Sequence, residues 1–186
     1  MKLEEIADVN IGLVLKRKKA TYKSTKTNVY KSFNIKCYEE NIEYEDFFST
    51  EDLSNYLTKK GDLIFRLSSP CKIILVNEKT ENLLINNLYC IIRCKDNMSG
   101  EFLKWYLESN MAKQQLEKIA IGSQVKSIPV AKLRLLEIPE LDINDQSKII
   151  KIIYNWTKQK ELYNKLIEEK NNYYNEIIKK VINRGK

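Results

Sequence analysis

The sequence predicts an α+β fold, in which a domain of short strands and helices at residues 1–141 precedes one long helix at 142–186. Two observations predict it. Short runs of strand-forming residues, bounded by turn residues, recur through the first part. From Asn144 to about Ile182 the chain has no glycine or proline, and apolar residues recur every three or four positions.

Strands are predicted at three places in the first part. A turn at residues 60–62 precedes the apolar run 63–67, and a second run follows at 72–76. A third region covers 83–92 and is interrupted by Asn86 and its neighbour, a second asparagine. The many leucine, isoleucine and valine residues in these runs favour a strand over a loop.

A helix is predicted to follow the strands. Ser99 can cap its N-terminus, the apolar spacing continues to Leu116, and Gly122 can act as a C-terminal stop. Pro129 and Pro139 then bracket a short segment before the long helix begins.

The long helix carries an apolar stripe with lysine and glutamate on its other faces. At about 1.5 Å per residue it would span about 60 Å, which is longer than a domain of this size. We expect part of the stripe to contact a partner or a second copy; the alternative is a helix that folds back on its own domain. The contact residues that we predict are Ile149, Ile152, Ile153, Trp156, Tyr163, Leu166, Ile167, Tyr173, Tyr174 and Ile177.

Several kinds of chemistry are disfavoured by composition. The chain has no histidine, the commonest general base for serine and cysteine nucleophiles. Its five glycines are too scattered to form a GxxxxGK[ST] loop or a GxGxxG turn. We therefore expect no triad hydrolase and no nucleotide-driven reaction in this chain.

The N-terminal residues and the cysteines indicate the cellular compartment of the protein. Residues 1–11 carry three carboxylates and no apolar core, and no run approaches about 18 apolar residues. We expect a cytoplasmic protein with no membrane contact, in which the four cysteines stay reduced. Cys90 and Cys94 have C-x3-C spacing, but their apolar flanks favour small core thiols over a zinc site.

Charge is unevenly distributed along the chain, whose net charge is +7. Residues 9–38 contain eight lysines and arginines and no acidic residue, and tyrosines are interleaved with them. Such a segment can neutralise phosphates and release counterions, although a solvated basic loop would have the same composition. Residues 39–52 reverse the sign, so a polyanion should not contact them. They lack the carboxylate and lysine pattern of a metal-dependent nuclease.

Four groups of residues, in order along the chain, resemble one half of the DNA specificity subunit of type I restriction-modification systems. They are KLEEIADV at 2–9 leading to Gly12, LTKKGDLIF at 57–65, FLKWYL at 102–107 with GSQVKSI at 122–128, and IP at 138–139 with DQSKI at 145–149. Asp145 replaces the family's usual glutamate, a change that still suits a helix N-terminus. Full-length members of the family resemble two such copies, and this sequence has one.

The resemblance implies a non-catalytic DNA reader. Residues 1–141 would form a target recognition domain, and 142–186 a spacer helix that pairs as an antiparallel coiled coil. The implied partners are double-stranded DNA, a second copy of the chain and methylation subunits, with restriction subunits as further candidates. S-adenosylmethionine, ATP and magnesium would belong to those partner subunits, so we expect this chain to bind no cofactor. A homodimer would read an interrupted palindrome with half-sites at most roughly 18 base pairs apart.

Charge and resemblance together predict the DNA contacts. Lysines and arginines would hold phosphates, and Asn28 or Gln124 could pair with adenine. Residues 122–126 would otherwise be an ordinary helix-ending turn. Two alternative functions are a coiled-coil interaction module without specific DNA binding and a small metal-dependent nuclease. The predicted contact residues are Lys16, Arg17, Lys18, Lys19, Tyr22, Lys23, Lys26, Asn28, Lys31, Arg66, Ser123, Gln124 and Lys126.

Overall fold

A computed structural model of the chain describes residues 1–20, 27–35, 42–122 and 126–184. The chain divides into two compact units, Met1–Ile143 and Asn144–Lys186. The first mixes strands with short helices and the second is helical, so the predicted α+β class is confirmed. The elements are α1 (Leu3–Ile6), β1 (Ala7–Ile11), α2 (Leu15–Lys18), β2 (Asn28–Ile35), β3 (Ile42–Ser49), a 3-10 turn (Ser54–Tyr56), β4 (Leu63–Arg66), β5 (Ile73–Leu75), β6 (Leu83–Ile85), β7 (Tyr89–Cys94), α3 (Gly100–Glu108), α4 (Asn110–Ile119), α5 (Val130–Arg134) and α6 (Ile143–Arg184).

The strands form two sheets. The first is antiparallel and has four strands in the order β1-β7-β4-β5. The second has three strands in the order β3-β2-β6, in which β2 runs antiparallel to β3 and parallel to β6. Strand β7 is buried over its first four residues, and this suits its continuous apolar sequence.

The core joins the two sheets. Phe33 of β2 packs edge-on against Tyr89 of β7, with ring centroids 5.9 Å apart. Ile64, Leu83 and Ile85 belong to the same buried cluster, so β4 and β6 contribute to it as well. Removing these large side chains from water is the main favourable term that holds the sheets together.

The third predicted strand region is two strands separated by a turn. The Leu88 N–H donates to the Asn86 side-chain oxygen over 2.9 Å, and the Tyr89 N–H donates to the Asn86 carbonyl over 3.1 Å. Asparagine stabilises turns in this way, by bonding the backbone two residues on. The chain passes here from the three-stranded sheet to the four-stranded one.

The prediction of one continuous helix from Ser99 to Leu116 was wrong, because the structure has two helices there. Ser99 does cap α3, because its hydroxyl accepts a hydrogen bond from the Phe102 N–H. Ser109, however, has extended backbone angles, and its hydroxyl caps a second helix by accepting from the Ala112 N–H over 3.3 Å. Serine favours such caps over helix interiors, which explains the break between α3 and α4.

The long helix is confirmed and runs from Ile143 to Arg184. Its stripe is largely exposed in the single chain, with Trp156 62% and Tyr163 65% exposed. Of the predicted contact residues only Ile149 and Ile153 are half-buried. Within the described residues, no helix has both the length and the apolar character needed to cross a bilayer.

The cysteines occupy different environments. Burial raises the pKa of Cys90, a core residue of β7, to about 12, and that of the half-buried Cys94 to about 11. Cys71 is exposed. Cys37 lies outside the described residues. Among the residues described, no group of three or more cysteines and carboxylates is arranged to hold a metal ion.

One ion pair ties the turn before β4 to β7. The Asp62 side chain is 2% exposed and accepts from Arg93 at both oxygens, over 2.8 Å from Nε and 2.6 Å from Nη2. The Lys59 N–H adds a third bond over 2.8 Å. The hydrogen bond to Asp62 raises the pKa of Arg93, so the guanidinium stays charged at neutral pH.

We predict that Arg93→Ala lowers the free energy of unfolding by about 2 kcal/mol or more, because it leaves the Asp62 carboxylate buried without its partner. The matched control is Lys60→Ala, which breaks an exposed pair with Glu78 and should cost less than about 1 kcal/mol. Urea unfolding followed by circular dichroism measures both. Equal losses for the two variants would contradict this account of the pair.

Candidate nucleic-acid interface

The basic segment, residues 9–38, begins on β1 and continues through α2 into β2. Lys16, Arg17 and Lys19 are exposed around α2, and Lys18 is half-buried. The predicted contacts Tyr22, Lys23 and Lys26 lie outside the described residues. The exposed cations of α2 can approach a polyanion without rearrangement of the fold.

The structure places the acidic stretch beside this basic segment. Strands β2 and β3 pair along their full lengths, with Lys31 opposite Asp46. Lys18 forms an ion pair with Glu51 over 2.6 Å. Opposite charges at these distances weaken the attraction of Lys18 and Lys31 for a further anion. Neither strand was predicted from the sequence, although residues 42–45 alternate apolar and acidic side chains as a half-exposed strand does.

Two polar residues of β2 are bonded near the same acidic residues. The Asn28 amide donates to the Glu51 carbonyl over 3.2 Å, and the Tyr30 hydroxyl lies 3.3 Å from an Asp52 oxygen. A hydrogen bond from the Ser54 backbone N–H lowers the pKa of Asp52, so this carboxylate stays charged at neutral pH. The proposed adenine contact of Asn28 would have to compete with its present bond.

A second region is built from four segments that carry no acidic residue of their own. Residues 9–20, 63–77, 82–95 and 118–136 contain no aspartate or glutamate. Backbone hydrogen bonds join them: Gly12 donates to the Tyr89 carbonyl over 2.9 Å, and Leu67 to the Leu88 carbonyl over 3.0 Å. The Ile128 N–H donates to the Leu67 carbonyl over 2.7 Å. We call the place where these four segments meet the carboxylate-free junction.

Close backbone contact brings the first segment to the junction. A Cβ at Gly12 would lie 2.2 Å from the Asn86 carbonyl oxygen and 2.6 Å from that of Ile85. The glycine is therefore needed for space. It allows Leu13 to donate to the Ile85 carbonyl over 2.8 Å, two residues before α2 begins.

The described ends of the 122–126 segment, Gly122 and Lys126, lie beside the junction. Ile121 and Ser127, which flank the segment, exchange two backbone hydrogen bonds of 2.9 and 2.7 Å. Gly122 has a φ of 107°, a conformation that other residues rarely adopt. Ser123 and Gln124 lie outside the described residues, whereas Lys126 is described and exposed.

Arg66 and Lys126 lie on joined segments. The Ser69 N–H donates to the Lys126 carbonyl over 2.9 Å, and Arg66 Nε donates to the Ser68 hydroxyl over 3.1 Å. Lys72, which the sequence analysis did not select, accepts a backbone bond from Arg66 and is exposed. The feature that could have identified it is the lack of acidic residues over 63–77. These cations add positive charge at one side of the junction, where Glu108 and Glu117 also line a groove with Lys126.

Comparisons with known proteins were made by family model, by sequence and by structure. No protein-family model and no curated protein matches the sequence. Solved structures do match. The type I restriction-modification S subunit from M. genitalium aligns with 90% of this chain and 41% of its own, at a TM-score of 0.56 and 18% identity.

Two further structures agree with the first. The HsdS subunit from Thermoanaerobacter tengcongensis aligns with 89% of this chain and 43% of its own, with a TM-score of 0.63 and 16% identity. A chain from a structure describing assembly and conformational transition of the type I R-M system has the same coverage and identity, with a TM-score of 0.67. This chain thus spans less than half the length of those it matches, and the resemblance found in the sequence is confirmed as a resemblance of fold.

Proposed function

We propose that this chain is a DNA-binding specificity module of a type I restriction-modification system, which reads one half of a bipartite target. The observation that carries the proposal is the structural match to S subunits over about nine-tenths of the chain. The four sequence patterns that resemble the same family occur along the chain in the order in which the family has them. The division of roles between residues 1–141 and the long helix is part of this proposal.

The recognition domain would contact DNA mainly through exposed cations. Lys16, Arg17 and Lys19 on and after α2 and Lys126 at the carboxylate-free junction are exposed, and they are the phosphate contacts that we favour. Lys18 and Lys31 face carboxylates in the free chain, so their contribution would be smaller. The other predicted contacts remain part of the same proposal.

The long helix would pair with a second copy of the chain and dock methylation subunits, and restriction subunits through them. Its exposed Trp156, Tyr163 and Ile167 support a helical partner, because single helices seldom leave so much apolar surface in water. An antiparallel pair has twofold symmetry, so two identical readers would recognise an interrupted palindrome. In this scheme the chain is not an enzyme and acts in the cytoplasm. S-adenosylmethionine, ATP and magnesium are bound by the partner subunits.

The exposed stripe also favours a second candidate, a coiled-coil interaction module without specific DNA binding. Both candidates predict self-association, so molecular mass does not separate them. Binding to duplex DNA does, because the interaction module has no reason to prefer one duplex sequence over another.

The first prediction concerns adenine methylation in the host genome. Deleting the gene should abolish methylation at one split motif, since the methylation subunits would lose their guide. A palindromic motif would indicate the homodimer, and an asymmetric motif would indicate pairing with a different half-subunit. Unchanged methylation, together with no duplex binding by the purified chain, would contradict the proposed function.

The second prediction concerns salt. Replacing Lys16, Arg17 and Lys19 by alanine should weaken binding to all duplexes and flatten the plot of log affinity against log salt. The slope should change by about 0.9 for each phosphate that the variant no longer neutralises. The charge-matched control replaces Lys60, Lys79 and Lys104, of which two are paired with glutamates. Fluorescence anisotropy at several salt concentrations measures the slopes, and identical slopes for the two triple variants would exclude α2 from the interface.

A further inference from the structure

A concavity of about 290 Å³ lies at the carboxylate-free junction. Its apolar lining includes Ile11 of β1, Leu88 of the turn before β7, and the buried Leu67 and Ile128. Its polar lining comes from Ser68, Asn87 and Ser127, and none of the described residues that line it is charged. The hollow is therefore neutral, although the segments around it carry only positive charges.

Two apolar side chains at this hollow are more than half exposed. Ile11 is 54% exposed and Leu88 is 57% exposed. Ile11 ends β1 and Leu88 lies in the turn before β7, and both line one concavity. Their position among cations argues against an apolar protein partner and favours a polyanion that also presents apolar groups, as the bases of duplex DNA do.

The turn that carries Asn87 and Leu88 is held firmly. The Leu88 N–H is bonded to the Asn86 side chain over 2.9 Å, and its carbonyl accepts from Leu67 over 3.0 Å. The Asn87 side chain is exposed, and none of the described residues forms a hydrogen bond with its amide. A fixed backbone with an unused amide at its tip is well suited to read an external hydrogen-bonding pattern.

Cations lie directly beside the neutral hollow. Arg66 bonds the hydroxyl of Ser68, which lines the hollow, over 3.1 Å. Lys126 precedes Ser127, another lining residue, and Lys72 is joined to Arg66 by a backbone bond of 2.9 Å. A duplex whose phosphates contact these cations would place base edges near the hollow.

We propose that the Asn87–Leu88 turn and this hollow form a base-reading site that recognises an A·T pair in the half-target. An asparagine amide pairs with adenine through its N6 and N7 positions, and aliphatic side chains contact the thymine methyl group. Asn87 supplies the first interaction, and Leu88 with Ile11 supplies the second. The inference rests on the proposed function and adds to it the residues that determine one position of the target.

The test is selection from a pool of randomised duplexes, with the full chain as bait and sequencing of the bound DNA. The variants are Asn87→Asp, which keeps the shape of the side chain but removes its donor, and Leu88→Ala. The matched control is Asn110→Ala with Met111→Ala, which removes the same kinds of side chain from the exposed start of α4. Thermal unfolding verifies that all variants fold.

The wild type should enrich a motif that contains an A·T pair, and the preference at that one position should fall by about tenfold in both test variants. The control should enrich the wild-type motif. If the wild type enriches a motif and both folded test variants retain it unchanged, the turn does not read bases and the inference is overturned. If the wild type itself enriches no motif, the proposed function fails and this inference fails with it.

Discussion

Strand β7 is the constraint on which the fold of residues 1–143 depends. It pairs with β1 on one side and β4 on the other, so Ile92 lies opposite both Val9 and Leu63. β7 is buried and hydrogen-bonded at both edges, and this fixes the turn before it. In that turn the Leu88 carbonyl accepts a hydrogen bond from the Leu67 N–H. The same pairing brings the end of β1 to the hollow that residues 127–130 also line. The junction is therefore a consequence of strand pairing between distant parts of the chain.

The division of charge follows from this arrangement. Acidic residues are concentrated on β3 and the loop after it, where they neutralise Lys18 and lie opposite Lys31. The segments that meet at the junction carry none. A polyanion would meet fewer carboxylates at the junction than along strands β2 and β3, although Glu108 and Glu117 line a groove together with Lys126. Phosphate contact and base contact would then come from adjacent parts of one surface, as a reader of DNA sequence requires.

Sequence reasoning succeeded where the pattern is local. The 3.6-residue period predicted α6 to within two residues of its ends, and strand-forming runs predicted β4 and β5. It failed at Ser109, whose hydroxyl caps a second helix instead of lying inside one. It also failed at β2 and β3, whose many charged residues hid the strand pattern. The pairing of Lys18 with Glu51 and the meeting of Arg66 with residues 126–128 depend on tertiary contacts, which no local pattern reveals. Asn87 was visible only as part of an interruption in a strand.

The most direct measurement of the central claim, that DNA lies against the carboxylate-free junction and α2, is a lysine footprint. The chain is acetylated with and without a bound duplex, and mass spectrometry compares the reactivity of each lysine. The account predicts protection of Lys16, Lys19 and Lys126, with Lys60 and Lys79 reacting as fast as in the free chain. Protection of Lys60 and Lys79, with Lys126 fully reactive in the complex, would place the DNA on another face and contradict the account.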